Sequence, residues 1–361
     1  MNWDYDRVLA FDFETSGAQP EYALQPWRVA TGKSWATSLV WATRHGDQTK
    51  IEGGLSPHAD MMRRMLEQAL DEKRALLGWN VTFDIQWLQA YGLAKLVDQC
   101  RWLDGMLIWR HLDTEPEYDL DRSKKRSYSL KIAVPKFLPQ YAGYEADIDF
   151  HDDTPEARAR LHHYNILDTT FTLRIAGMLA SQLTDRQWAT VLIEAECLPL
   201  VAAANLKGML IDTIAAQEVA AHMDQKATDL LAALTSHGVT EKVVRSPKQL
   251  ATLLFDVWRL PVLKENKGKK TGLMSRSTDK EVLHELAFLD PRAKQLREYR
   301  EALNLKTKFA EAPRIAAEYN GDGRARPQAI VFGTYSGRLT YASKQSGAKR
   351  VKDLMEADDV R

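Results

Sequence analysis

Cysteine is scarce: Cys100 and Cys197 are the only two in 361 residues, far apart and without metal-type spacing. That usage argues against a zinc site and suits a reducing compartment. Charge of one sign is also missing, because 49 Lys and Arg balance 49 Asp and Glu. Net charge therefore gives no case for a polyanionic partner, and any nucleic-acid site must come from local clustering. The opening residues, Met1-Asn2-Trp3-Asp4-Tyr5-Asp6-Arg7, lack the basic and apolar pattern of a signal peptide, and no apolar run is expected to approach membrane-spanning length. A cytoplasmic protein with no membrane partner is the expectation. What is present, 45% hydrophobic and 27% charged residues, suits a soluble globular chain with room for two or three domains of roughly 100 to 200 residues each.

The informative stretch is Val8-Leu9-Ala10-Phe11-Asp12-Phe13-Glu14-Thr15-Ser16-Gly17. An apolar run that breaks into Asp-x-Glu and a Ser-Gly turn reads as a buried strand with two acids at its end. Side chains alternate across a strand, so Asp12 and Glu14 point the same way, with Cα atoms roughly 6.5 Å apart at about 3.3 Å per residue. Two carboxylates facing one point repel. A divalent cation is one compensation, since hard oxygen ligands suit Mg2+ or Mn2+; a strand end where both acids meet water is the other.

After a polar stretch from Ala18 to Lys33, Trp35 to Thr43 and Gln48 to Gly53 predict a β-hairpin around Gly46-Asp47. Met61, Met62, Met65 and Leu66 have helical spacing within Asp60 to Leu70, with the methionines as core filling. Ala75 to Trp79 is a second buried-strand candidate and runs into Asn80-Val81-Thr82-Phe83-Asp84. There Asn80 is placed to cap a helix whose apolar face holds Phe83, Trp87, Leu88 and Tyr91. Asp84 lies one turn inside, where the helix dipole alone also favours an acid. A short apolar segment, Met106 to Trp109, follows Asp104, and the charged loop Asp121 to Arg126 either touches phosphates or is simply solvated. Tyr128-Ser129-Leu130 opens a short helix ending near Leu138. A long helix then starts at Pro155 and carries Tyr164 and Asp168, four apart and so on one face.

Asp12, Glu14, Asp84, Tyr164 and Asp168 thus come in the order strand, helix, helix. In that order Asp-x-Glu-Thr, Asn-x-x-Phe-Asp and Tyr-x-x-x-Asp resemble the three motifs of the four-carboxylate 3′-5′ exonuclease superfamily. Asp104-Gly105-Met106 and Tyr128-Ser129-Leu130 resemble family segments between the second and third motifs. His163 with Asp168 also satisfies the His-x-x-x-x-Asp form of the histidine branch. Helical neighbours diverge by about 100°, so only one of His163 and Tyr164 can face the metals. Tyr164, one turn from Asp168, is favoured with the help of the resemblance.

From Ser181 the pattern changes to long helices, including an amphipathic one running to about Leu234. The succession Ser246-Pro247-Lys248-Gln249-Leu250, Leu260-Pro261, Ser277 to Leu283 and Glu298-Tyr299-Arg300 resembles the thumb of family-A DNA polymerases, the DNA polymerase I group. Gly333 to Thr340 resembles the first segment of their palm, most like phage-encoded members, as does Leu24-Gln25-Pro26-Trp27-Arg28 in the exonuclease part. The resemblance implies an α/β, ribonuclease H-like exonuclease domain with a mixed central sheet flanked by helices (1–180). A mainly α-helical thumb-like region (181–327) and the start of a palm (328–361) would follow. The palm aspartates of the family would lie beyond Arg361, so polymerisation is not expected from this chain alone.

The activity so implied is a metal-dependent 3′-5′ exonuclease of the proofreading type, releasing nucleoside 5′-monophosphates from DNA ends with two divalent cations, Mg2+ or Mn2+. Asp12, Glu14 and Asp168 would hold one cation, and Asp12 with Asp84 the second. Tyr164 would orient the attacking water rather than act as a strong base, its reference pKa being near 10. Expected partners are a single-stranded DNA 3′ end and primer-template DNA. Asn80 and Phe83 are candidate contacts to the former, and Lys267, Lys269, Lys270, Lys306, Lys308 and Arg338 to the latter, although the lysine-rich stretch reads equally as a solvated loop. The end shortly after the palm-like segment raises a second expectation, a non-polymerising half of a split polymerase acting mainly in DNA binding and assembly, with a separate palm and fingers chain as partner. A bacterial host cytoplasm is the expected location for a phage-encoded chain. The competing activity is a ribonuclease D-like RNA exonuclease, which uses the same four acids.

Overall fold

Strand β1 (Val8–Gly17) is the axis of the fold, because its first four residues are buried on both sides. The computed structural model describes residues 4–113, 128–146, 148–150, 152, 154–267, 272–331 and 337–341. β2 (Ser34–His45) and β3 (Gln48–Leu55) form the expected hairpin, with the turn at Gly46-Asp47. The polar stretch before them holds two 3-10 helices, Pro20–Leu24 and Pro26–Thr31. Next come α1 (Ala59–Asp71), β4 (Ala75–Gly78), α2 (Thr82–Ala90), α3 (Ala94–Val97), β5 (Arg101–Asp104), α4 (Gly105–Leu112), α5 (Leu130–Phe137), α6 (Pro155–Ala180) and α7 (Asp185–Lys207). The sheet order is β3-β2-β1-β4-β5. β1 pairs antiparallel with β2 and parallel with β4, and β4 pairs parallel with β5. This is a mixed five-stranded sheet between helices, as the α/β reading requires. Strand β5 escaped the sequence reading, since four residues beginning with Arg and ending with Asp carry no strand period.

Alternation along the strands sorts two cores onto the two faces of the sheet. Leu9, Phe11 and Phe13 face one way with Leu39, Trp41, Leu76 and Trp102, against Met62, Met65 and Leu66 of α1 and Ile85 and Leu88 of α2. Val8 and Ala10 face the other way with Ala42, Leu77 and Leu103, against α4, α5 and α6. Asp12 and Glu14 share the parity of Val8 and Ala10, so sheet geometry aims them toward the helix that carries Tyr164 and Asp168.

Helix α7 corrects one expectation. It is 23 residues long and contains an 18-residue window of mean hydropathy 1.5, enough by length and composition to cross a membrane. Trp188 and Val191 pack in one core of the sheet, and Ala195, Leu198, Val201 and Ala202 in the other.

The described residues divide into two compact units. One runs to Gly208 and resumes at Arg326; the other is Met209–Ala325. Helix α7 therefore groups with the sheet, whereas the sequence reading began the helical region at 181. The second unit contains β6 (Met209–Leu210), α8 (Thr213–Thr235), α9 (Glu241–Arg245), α10 (Pro247–Ala251), a π-helical turn (Thr252–Val257), β7 (Glu265–Lys267) and β8 (Met274–Arg276). It continues through α11 (Lys280–Leu289), α12 (Pro291–Asn304), a second π-helical turn (Leu305–Glu311), α13 (Ala312–Asn320) and β9 (Arg324–Ala325). Its core gathers Leu234, Leu250, Leu254, Leu283, Leu286, Leu296 and Tyr299. The chain returns to the first unit through β10 (Ala329–Ile330), where the buried Asn205 amide donates to the Ala329 carbonyl (3.0 Å) and accepts from its N–H (2.8 Å); β11 (Thr340–Tyr341) pairs with β10.

Candidate active site

The pairing of β1 with β4 stops at Ala10, while its ladder with β2 continues to Gly17 with a register shift between Glu14 and Thr15. The acid-bearing half of β1 is therefore free of strand neighbours on one side. A bulge at that place re-aims side chains at a strand end. The buried Asn165 of α6 occupies the open side. With the amide assigned from its neighbours, its nitrogen donates to the Asp12 carbonyl (3.3 Å) and its oxygen accepts from the Glu14 N–H (3.1 Å). One side-chain amide thus stands in for one more rung of a parallel ladder and fixes α6 against β1.

That fixation brings Asp168, three residues further along α6, to the strand acids. Ligand oxygens of Asp12, Glu14 and Asp168 all lie within 4.8 Å of one another. Asp168 is buried, whereas Asp12 and Glu14 keep intermediate exposure. Tyr164 is buried and feels the Asp168 charge, while His163 is exposed, so the tyrosine is the residue turned to the cluster. His162 faces Ser38 instead, its Nδ1 2.8 Å from the serine Oγ. A second phenol, Tyr144, donates to Asp168 Oδ1 and stacks on the Tyr164 ring at 5.5 Å between centroids and 10° between planes.

Asp84, in the first turn of α2, lies outside the 4.8 Å set, yet its charge raises the carboxyls of both Asp12 and Glu14. The helix start is built differently from the sequence expectation. Asn80 does not cap it: its φ is +59°, it is exposed, and Val81 takes the flanking position. The buried Asp104 carboxylate accepts from the backbone N–H of Asn80 (3.0 Å) and Val81 (3.1 Å), and also from Met106 N–H (2.8 Å) at the start of α4. One acid at the end of β5 thus ties down two helix beginnings, which no local capping pattern at Asn80 could reveal. Phe83 is half-buried and meets Trp87 edge-on at 6.1 Å.

Electrostatics decides what this cluster can do. Burial, followed by the charges of Asp84, Glu14 and Asp168, pushes the Asp12 carboxyl well above its ordinary range. Burial and the charges of Asp168 and Asp84 do the same to Glu14, against an opposing Lys131. Burial raises Asp84 against hydrogen bonds from its own backbone amide and that of Phe13, and it pushes Asp168 up to about 6 against the two tyrosines and Lys131. Four carboxyls that repel one another, three with oxygens within 4.8 Å of each other, match the donor set of a hard divalent cation. The residues present fit Mg2+ or Mn2+.

The expected DNA-contacting residues fare unevenly. Lys269 and Lys270 lie outside the described residues. Lys267 in β7 and Lys308 are exposed, whereas Lys306 donates to Asp224 (2.6 Å) and lies 3.7 Å from Glu311. Arg338 is exposed, in the unit that contains the carboxylates. The charged loop Asp121 to Arg126 and residues 333–336 also lie outside the described residues. Tyr144, Asn165 and Lys131 carry no motif in the sequence, and Asp104 stands there only within the family-like Asp104-Gly105-Met106 segment, with no sign of its hold on two helix starts. Asn165 had a legible signal, a polar residue recurring with Thr169 and Thr172 at helical spacing on the buried face of α6.

Residues 214–345 match the family model of DNA polymerase family A, a segment that excludes all five residues of the carboxylate site. DNA polymerase I of Treponema pallidum (strain Nichols) is 29% identical over 208 residues, 56% of this chain and 17% of that protein. DNA polymerase I of Lactococcus lactis subsp. lactis (strain IL1403) is 29% identical over 143 residues, 39% of this chain and 15% of that protein. The chain spans about a sixth of the length of these curated relatives. Among solved structures, the POL domain of Pol1 from M. smegmatis in complex with DNA primer-template and dNTP shares the fold, with a TM-score of 0.60 at 17% identity over 96% of this chain and 55% of that one.

Proposed function

We propose that this chain, which is related to the family-A DNA polymerases, is a divalent-metal-dependent 3′-5′ exonuclease that trims DNA from its 3′ end to nucleoside 5′-monophosphates. The observation that carries this reading is the convergence of Asp12, Glu14 and Asp168 within 4.8 Å, with Asp84 behind them. Asp12, Glu14 and Asp168 would hold one cation, and Asp12 with Asp84 the second. When bound, the pair supplies activation of water and neutralisation of charge on the departing 3′-oxygen. Water oxygen adds to the terminal phosphorus, the bond from phosphorus to the 3′-oxygen breaks, and the proton ends on that oxygen. Burial and the Asp168 charge raise the Tyr164 phenol above its ordinary range, so its Oη keeps its proton near neutrality and would orient the water by a hydrogen bond without taking its proton. Proofreading in replication is the physiological role this chemistry suits, with a frayed primer end as substrate.

The test is a digestion of matched DNA and RNA oligonucleotides, single-stranded and 3′-recessed, with Mg2+ or with chelator. Shortening of DNA from the 3′ end that stops on chelation is the expected result. Strong preference for RNA would transfer the site to a ribonuclease D-like activity, and cleavage undiminished by chelation would remove the metal reading altogether.

A further inference from the structure

Asp168 is held by more than the cluster needs. Tyr144 reaches it from the segment that follows α5, donating its hydroxyl to Oδ1, while the Tyr144 ring lies flat on Tyr164 and meets Phe171 edge-on at 5.1 Å. Phe150 meets the Tyr164 ring edge-on at 5.8 Å. Lys131 of α5 pairs with Glu145 beside Tyr144 at 2.9 Å. The same short segment thus fixes both the carboxylate and the phenol of α6.

A carboxylate has two oxygens, and a donor on one leaves the other to face a cation. A neutral donor at that position fixes the plane of the ligand without adding charge. Outer partners of this kind typically change metal affinity by about 10-fold to 100-fold when removed. We infer that Tyr144 is a positioning residue for the carboxylate cluster: its hydroxyl orients Asp168 toward the cation, and its stacked ring sets where the Tyr164 hydroxyl lies. This rests on the metal-dependent reading of the cluster, and it adds a residue outside the three sequence motifs.

Tyr144→Phe removes the hydroxyl and keeps the ring, so packing survives. In calorimetric titration of the full chain with Mn2+, the variant should bind about 10-fold more weakly, with an unfolding temperature in chelator equal to that of the parent. In the nuclease assay the Mn2+ concentration for half-maximal rate should rise by the same factor, while the rate at saturating Mn2+ largely returns. A purely packing role, preserved by the phenyl ring, would leave both the Mn2+ dependence and the unfolding temperature of Tyr144→Phe at the parent's values. Tyr144→Leu removes ring and hydroxyl together and should lower the saturated rate as well, because Tyr164 loses its stacking partner. Parent-like Mn2+ binding by Tyr144→Phe overturns the inference and leaves the cation site standing. A parent chain that binds no Mn2+ overturns both.

Discussion

Asp168 is the residue on which the site's chemistry is most exposed to test. Its side chain is the point where two phenols and two strand acids meet, and Asp168→Ala removes a ligand that no neighbour replaces. The nuclease rate of Asp168→Ala or Asp12→Ala should fall by about 100-fold or more, read as single-turnover cleavage of a labelled oligonucleotide, while far-UV circular dichroism stays unchanged. The same residue predicts a pH response. Its folded-state value of about 6 lies above the ordinary 3.8, so the folded chain binds protons more tightly than the unfolded one. In chelator, unfolding temperature should therefore rise as pH is lowered from 7 through 6 toward 4. Saturating Mn2+ should reverse the trend near neutrality, because cation and proton compete for the same oxygens. A chelated chain equally stable at pH 7 and pH 5 would count against mutual repulsion in the cluster.

At the scale of elements, the site depends on how α6 and α2 are attached to the sheet. Asn165 is fully buried and satisfies two backbone groups of β1, so Asn165→Ala leaves both a carbonyl and an N–H without that partner. A loss of about 2 kcal/mol in urea unfolding is expected, together with weaker cation binding, since Asp168 is then free to drift from Asp12 and Glu14. Asp104 secures α2 and α4 together and is pushed up to about 6 by burial, against hydrogen bonds from the Met106, Asn80, Val81 and Leu107 amides. Asp104→Ala should destabilise by about 1 to 2 kcal/mol per released helix start, whereas Asn80→Ala should cost far less than a lost cap, because Asn80 makes none. Equal costs for the two would return the capping role to Asn80.

For the whole molecule, the two compact units predict separable responses. A cation that binds the cluster in the first unit stabilises that unit by mass action, by about 2.7 kcal/mol at a hundredfold excess over its dissociation constant. Hydrogen exchange should show Mn2+ protecting amides of β1, α2 and α6 while those of α8, α11 and α12 keep their rates. Binding to primer-template DNA, proposed here through the family relationship, should weaken as salt rises. Lys308→Ala should reduce the slope of log affinity against log salt by about 0.9 if that exposed lysine meets a phosphate. Lys306 already faces Asp224, and its replacement should change affinity less.

The sequence alone determined the hairpin, the central strand, the two acids on one face of it and the long helix with Tyr164 and Asp168. Each of these is written in a local period: two for a strand, 3.6 for a helix, and a turn residue at the break. It also carried the family likeness through motif order. It could not determine that Asp104 rather than Asn80 holds the start of α2, that Asn165 fills the open edge of β1, or that Tyr144 reaches Asp168. Those contacts join residues 24, 151 and 24 positions apart, as with Asp104 to Asn80, Asn165 to Glu14 and Tyr144 to Asp168. Local periodicity holds no record of such pairs. Only packing of α6 and β5 against the sheet brings them within hydrogen-bonding distance, because burial forces each otherwise orphaned polar group to find its partner there.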